Sequence, residues 1–177
     1  EATLAAVDKH RADWILFVPT MMSRISRLPD DVKNRYDLSS LTTVWHMAAP
    51  CPPWLKEEWC HWLGGEKIFE LYAGTEAQAV TIIRGDEWLA HRGSVGRCVT
   101  GEMKVLDPET YEELPAGTVG EIFMRNNRVT YKYLGAEARR SPDGWESLGD
   151  MGKIDAEGYV YLTDRRGDMI LSGGANI

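Results

Sequence analysis

Over the first half of the chain, short apolar runs alternate with helical spacings. Trp14-Ile-Leu-Phe-Val18 is a continuous apolar run closed by Pro19, the pattern of a buried strand. Met21, Met22 and Ile25 follow it at the spacing of a helix face. Leu41 to Met47 reads as a second strand. Pro52-Pro53 then opens a helix whose Leu55, Trp59, Trp62 and Leu63 recur at i, i+4, i+7 and i+8, and Gly64-Gly65 stops it. Ile68-Phe-Glu-Leu-Tyr72 is a third strand. Strand, helix, strand, helix, strand predicts a parallel sheet, with functional loops at the carboxyl ends of its strands.

After Gly85 the helical period is lost. Met103 to Leu106, Val119 to Met124 and Tyr159 to Leu162 read as strands, separated by turn signals at Asp107-Pro108, Pro115-Ala-Gly117, Pro142-Asp-Gly144 and Asp155-Ala-Glu-Gly158. Short strands at such intervals predict a small barrel or a curled antiparallel sheet. The fold class is therefore α/β plus β: part of a parallel α/β subdomain over 1–84, then a small distorted β-barrel subdomain over 85–167.

Composition narrows the classes. With 44% apolar and 27% charged residues among 177, the chain falls in the globular range rather than the disordered one. No apolar run approaches the ~18 residues of a membrane span, and the start has no signal-peptide anatomy. Twenty basic against 27 acidic residues leave a net charge of −7, which argues against nucleic acid or an anionic membrane as partner. Cys51, Cys60 and Cys98 lack metal-site spacing and are odd in number, so a reducing cytoplasm is the expected location. The missing initiator methionine and the Ser172-Gly-Gly-Ala-Asn-Ile177 ending suggest a segment of a longer protein.

Candidate chemistry concentrates in three places. In Glu70-Leu-Tyr-Ala-Gly-Thr-Glu76 a strand ends in a small-residue turn and then presents a hydroxyl and a carboxylate. Backbone N–H groups and Thr75 suit phosphate oxygens, Glu76 suits Mg²⁺, and Tyr72 suits a nucleobase. The plain alternative is a tight turn with Thr75 capping a helix. Asp150, after Gly149, suits a sugar diol or an ordinary turn. Arg165, in Asp164-Arg-Arg-Gly-Asp168, suits a hydroxyl or phosphate, or a solvated hairpin end. His46 is either a pocket lining or a satisfied structural histidine.

The order of these segments resembles the acyl-adenylate-forming enzymes, which include acyl-CoA synthetases, peptide-synthetase adenylation domains and beetle luciferases. Leu71-Tyr-Ala-Gly-Thr-Glu76 is similar to the family's Tyr-Gly-x-Thr-Glu, Gly93-Ser-Val-Gly-Arg97 to its Gly-Ser-Val-Gly, and Gly120-Glu-Ile122 to its Gly-Glu-Ile. Gly144-Trp145 through Gly149-Asp150 is similar to Gly-Trp-x-x-Thr-Gly-Asp. Arg165 to Ile177 is similar to Arg-x-x-Asp-x-Ile-Lys-x-x-Gly-x-x-Ile. The resemblance implies that a carboxylic acid attacks the α-phosphate of MgATP to give an acyl-adenylate and pyrophosphate. In the CoA ligases, coenzyme A then displaces AMP as a thioester. It also implies roles: Thr75 on phosphate, Glu76 on Mg²⁺, and both counted as catalytic. Tyr72 is implied on adenine, with Ala48, Ala49 and Pro50 bordering that ring. Asp150 is implied on the ribose with Arg165 assisting. Val18, His46, Ala77, Ala79 and Val80 are implied around the acyl group. Residues 1–84 and 85–167 would then belong to the large adenylating domain, and 168–177 to the hinge, at Asp168, and the start of a following domain.

Four departures stand out. Ala73 replaces a glycine, Leu148 a threonine, Asp164 a glycine and Leu171 a lysine. A phosphate loop ending in lysine is not in this sequence, and the family's later catalytic lysine would lie beyond Ile177, so the isolated chain is expected to be inactive. Within the family, Trp45 to Pro50 and Tyr131 to Arg139 look closest to bacterial fatty-acyl and steroid-acid ligases. The small residues at Ala77, Ala79 and Val80 suit a bulky acid. A carrier-protein-loading adenylation domain and a non-catalytic nucleotide-binding module are the alternatives. A homo-oligomer is compatible with the sequence.

Overall fold

The structure, a computed structural model, describes residues 1–127, 131–135, 137–165, 171–172 and 175–176. Two compact units divide it, one holding residues 1–70 and 84–92, the other 71–83 and 93–165. This division differs from a single cut near residue 84. Chain leaves the first unit after Glu70, and residues 84–92 return to it as the helix α5 described below. The change of hydrophobic period marks where strands take over, not where each stretch packs.

In the first unit, β1 (Trp14–Phe17), β2 (Thr43–His46) and the start of β3 (Ile68–Ala73) run parallel, as the alternation predicts, with Phe17 opposite His46 and His46 opposite Glu70. The helices are α1 (Ala2–His10), α2 (Pro19–Ser26), α3 (Asp30–Lys33), α4 (Pro53–Leu63) and α5 (Gly85–Ala90). Proline stands at the first turn of both α2 and α4, where its missing N–H costs nothing. Leu4 and Val7 of α1 join Phe17, Met22, Ile25, Val44, Leu55, Trp59 and Ile68 in one core. Trp59 meets Phe17 and Trp62 edge-on at 5.1 and 5.2 Å, and its indole N–H donates to Ser26 at 3.0 Å.

A polar cluster lies inside this apolar unit. Lys56 of α4 is 1% exposed, and its Nζ donates to Glu70 Oε2 at 2.5 Å with the Trp88 ring 4.9 Å away. His46 is wholly buried, with Nδ1 4.0 Å from Glu70 Oε1, and neither ring nitrogen meets a hydrogen-bond partner among the described residues. Burial, followed by the Lys56 charge, pushes His46 down to about 3. Burial pushes the Glu70 carboxyl up, against the pull of Lys56.

In the second unit the strand order is β3, β4 (Val80–Arg84), β5 (Ser94–Thr100), β10 (Tyr159–Arg165), β9 (Glu146–Ile154), β7 (Gly120–Arg125) and β6 (Glu102–Leu106), with β8 (Arg139–Arg140) alongside β9. The pairings from β4 to β6 are antiparallel. Period two is visible on β7: Ile122 and Met124 join Ala79, Val95 and Val160 in one core, while Phe123 joins Leu106 and Trp145 in another. The path stays open at β6, so among the described residues these strands form an open sheet and not the small distorted barrel expected. Short strands reveal themselves by alternation, whereas closure depends on which edges meet, and that leaves no local mark.

One close approach shapes the sheet. Gly96 on β5 has φ +99°, and a Cβ there would stand 2.2 Å from the Ile82 carbonyl oxygen of β4. No helix among the described residues is long and apolar enough to cross a membrane.

Two outcomes follow from these contacts. Gly96→Ala should lower unfolding free energy by at least ~2 kcal/mol, read by urea denaturation, because both φ and the neighbouring backbone oppose a side chain. His46 titrates near 6.5 when unfolded but about 3 when folded, so the unfolded state binds the extra proton as pH drops below 6.5. The protein should therefore lose up to ~1.4 kcal/mol per pH unit between pH 6 and 4, a loss that is absent from His46→Leu in the same melts.

Candidate nucleotide site

The second unit carries the predicted site residues at the end of β3 and in the middle of β9. Tyr72 packs its ring against the unit's core, beside Leu148. Its hydroxyl donates to Asp150 Oδ2 at 2.7 Å, joining two segments 78 residues apart. Asp150 sits where the β9–β10 register slips between Leu162 and Asp164, so that Arg165 lies opposite Asp150. An irregularity of this kind re-aims side chains beside functional sites. The side chain of Arg165 and the whole of Asp168 lie outside the described residues.

Beyond β3 the chain turns tightly: Ala77 N donates to Gly74 O at 3.0 Å, and Ala77 takes φ +54°. A Cβ on Gly74 would meet Leu148 Cδ1 at 2.4 Å and Glu76 Oε2 at 2.8 Å, so any larger residue would have to displace those two side-chain ends. Leu148, one of the sequence departures, thus replaces a hydroxyl with apolar packing over the turn. Ala73, another departure, ends a strand without a positive φ, whereas Ala48 takes φ +71° in the loop after β2. A left-handed alanine is strained by ~1–2 kcal/mol, a cost that a glycine in its place would avoid.

Thr75 is exposed at the tip of the turn. Glu76 is half-buried, and its Oε1 accepts the Tyr133 hydroxyl at 2.6 Å. Burial and that carboxylate push the Tyr133 phenol up to about 12, so it stays a donor at neutral pH. Tyr131 meets the Tyr133 ring edge-on at 5.4 Å and accepts from Gln78 Nε2 at 3.0 Å. Gln78 is 4% exposed and also donates to Glu146 at 3.3 Å, whose other oxygen takes Arg140 at 2.7 Å. The 131–135 segment is therefore tied to the Gly74–Gln78 turn by two phenols.

The structure thus brings Tyr72 together with Asp150, and Glu76 together with Tyr133. The other candidates take no part in either of these hydrogen bonds. Ala48 and Pro50 are exposed, and Ala49 is half-buried, in the loop after β2. Val18 is the half-buried residue before α2, and His46 is enclosed by Glu70 and Lys56. Ala79 is a fully buried core residue, Val80 is half-buried opposite Thr100, and Ala77 is exposed. Sequence reasoning missed Tyr131, Tyr133 and Gln78 as part of this site. Two tyrosines at i, i+2 in a turn-rich stretch were the available signal, without any local pattern to name their partners. It also missed the Lys56–Glu70 pair, although Lys56 stands on the same stripe as Leu55, Trp59 and Cys60.

Comparison with known proteins identifies the family. The AMP-binding enzyme family matches residues 1–134. The chain is 32% identical over 185 residues to 4-coumarate–CoA ligase-like 9 of Oryza sativa subsp. japonica, covering 98% of the chain and 33% of that protein. It is 34% identical over 179 residues to the 3-[(3aS,4S,7aS)-7a-methyl-1,5-dioxo-octahydro-1H-inden-4-yl]propanoyl:CoA ligase of Rhodococcus jostii, covering 98% and 32%. Among solved structures, the amide bond synthetase McbA of Marinactinospora thermotolerans superposes with a TM-score of 0.87 at 28% identity, over 99% of this chain and 36% of that one. The chain spans about a third of the length of the curated relatives it matches. With its motifs in order, its fold shared and three quarters of its length matched, the chain belongs to the AMP-binding enzyme family.

Proposed function

We propose that this chain is the nucleotide-handling part of a cytoplasmic, ATP-dependent carboxylic acid:CoA ligase. In the whole enzyme a carboxylate oxygen bonds to the α-phosphorus of ATP and pyrophosphate leaves. The thiol of coenzyme A, losing its proton, then bonds to the acyl carbon and AMP leaves. The Tyr72–Asp150 hydrogen bond is the observation that carries this reading, because it joins an aromatic ring and a carboxylate at one place. A carboxylate has about four lone-pair positions, so Asp150 accepts the Tyr72 hydroxyl and a ribose diol together. Tyr72 offers its ring to adenine, and Thr75 offers its exposed hydroxyl to phosphate. Arg165, opposite Asp150 in the ladder, supports the sugar. The Ala48, Ala49 and Pro50 assignment to adenine rests on the sequence motif.

The residues fit a Mg²⁺ ion that arrives with the nucleotide. Glu76 supplies a hard oxygen donor, and its Oε2 lies over a glycine. Among the described residues, no group of three metal-ligating side chains includes Glu76. One carboxylate completed by phosphates and water is the usual Mg²⁺ arrangement. When bound, the ion supplies neutralisation of charge on the phosphoryl oxygens.

The acid we propose is bulky and apolar, of the fatty or steroid-acid type. Support comes from the small side chains Ala77 and Val80, which keep exposed or half-exposed surface beside the turn, and from the bicyclic propanoyl group in the name of the Rhodococcus jostii relative. Catalysis itself is proposed for the whole protein and not for this stretch alone.

Calorimetric titration with AMP tests the site. Saturable binding by the chain, weakened at least about tenfold in Asp150→Ala, is the expected outcome. A well-folded chain that binds AMP equally with and without the Asp150 carboxylate would remove the basis of the reading.

A further inference from the structure

Glu76 has three side-chain torsions, so a carboxylate in that position points in one direction only if something holds it. The Tyr133 hydroxyl bonds Oε1 at 2.6 Å, and Oε2 lies 2.8 Å from where a Gly74 Cβ would stand. One oxygen is therefore engaged by the phenol, while the other lies on the side of Gly74 from which a Cβ would project. The phenol is itself held: its ring packs edge-on against Tyr131, whose hydroxyl accepts from buried Gln78, which in turn donates to Glu146. A donor anchored through buried groups orients its acceptor more firmly than a solvated one.

We propose that Tyr133 is the positioning residue for Glu76, occupying Oε1 so that Oε2 is left to the cation of a metal–nucleotide complex. The proposal rests on the reading of Glu76 given under Proposed function. It adds a residue from a segment 57 positions downstream, to which the sequence motifs assigned no role at the nucleotide site. Tyr133 does not touch the nucleotide; it acts through Glu76. Its hydroxyl occupies Oε1 and leaves Oε2 to the metal, so removing the hydroxyl should weaken metal-dependent binding. Were the phenol a competitor for the metal, its removal would strengthen that binding instead.

The chain is titrated with ATP by calorimetry, once in Mg²⁺ and once in EDTA, and the ratio of the two affinities is the readout. General damage to the fold lowers both affinities, whereas loss of Glu76 orientation lowers only the one in Mg²⁺. The wild-type ratio should exceed one and Glu76→Gln should bring it close to one. Tyr133→Phe should reduce it about fivefold, the scale of one hydrogen bond to a charged group, with the EDTA affinity unchanged. Tyr131→Phe, which keeps the ring packed on Tyr133 and removes only the hydroxyl bonded to Gln78, should lower the ratio much less than Tyr133→Phe does. An unchanged or raised ratio in Tyr133→Phe overturns the proposal, as does an equal fall in Tyr131→Phe, which would mean that the segment's docking matters and not the Glu76 bond. A wild-type ratio of one, or a Glu76→Gln ratio equal to wild type, sinks the Glu76 assignment itself and is told apart by that variant.

Discussion

The hydrogen bond from Tyr72 to Asp150 constrains the second unit more than any other polar contact at the site. It requires the end of β3 and the middle of β9 to meet, and the one-residue slip of β10 places Arg165 opposite Asp150. It also fixes what can lie between them. Leu148, two residues before Asp150, packs over Gly74, so a side chain there would have to push it aside. A phenol, a carboxylate and a bare turn are thereby held together by backbone pairing and not by loop chemistry. Rigid elements place such groups more accurately than loops do.

The first unit shows a different balance. Lys56, Glu70 and His46 bring two charges and an imidazole into a core otherwise made of Phe17, Val44, Leu55, Trp59 and Ile68. A buried ion pair contributes little net stability relative to an apolar pair, while removing one partner is costly. His46 adds to the cost, since its ring nitrogens have no hydrogen-bond partner among the described residues and its charge is suppressed. His46 ends β2, while Glu70 lies midway along β3, so the cluster adjoins the carboxyl end of a parallel strand, where α/β sheets carry function.

The elements whose apolar residues keep one period were legible in the sequence. β1, β2, α2, α4 and β3 follow from runs and i, i+4 spacing, as do β6, β7 and β10 from alternation. β9 was not, because Ser147, Gly149, Asp150 and Gly152 interrupt its alternation, and only partners on both sides make it a strand. α1 and α5 are short, with two buried residues each, too few to set a period. At the candidate site, Tyr72, Glu76 and Asp150 stand in ordered motifs that single them out in the sequence. Tyr133 was not legible, since its role is defined by a contact 57 residues away. The glycine replaced at Ala73 drew attention in the sequence, yet the strained alanines are Ala48 and Ala77, whose φ values no local pattern discloses.

The central claim, that Tyr72, the following turn and Asp150 form one nucleoside-monophosphate site, is tested most directly by backbone amide NMR of the chain titrated with AMP. The account predicts shifts that move together with one dissociation constant and map to Tyr72–Ala77 and Ser147–Asp150. Shifts confined to other segments, or shifts at these two that saturate at different AMP concentrations, would contradict it.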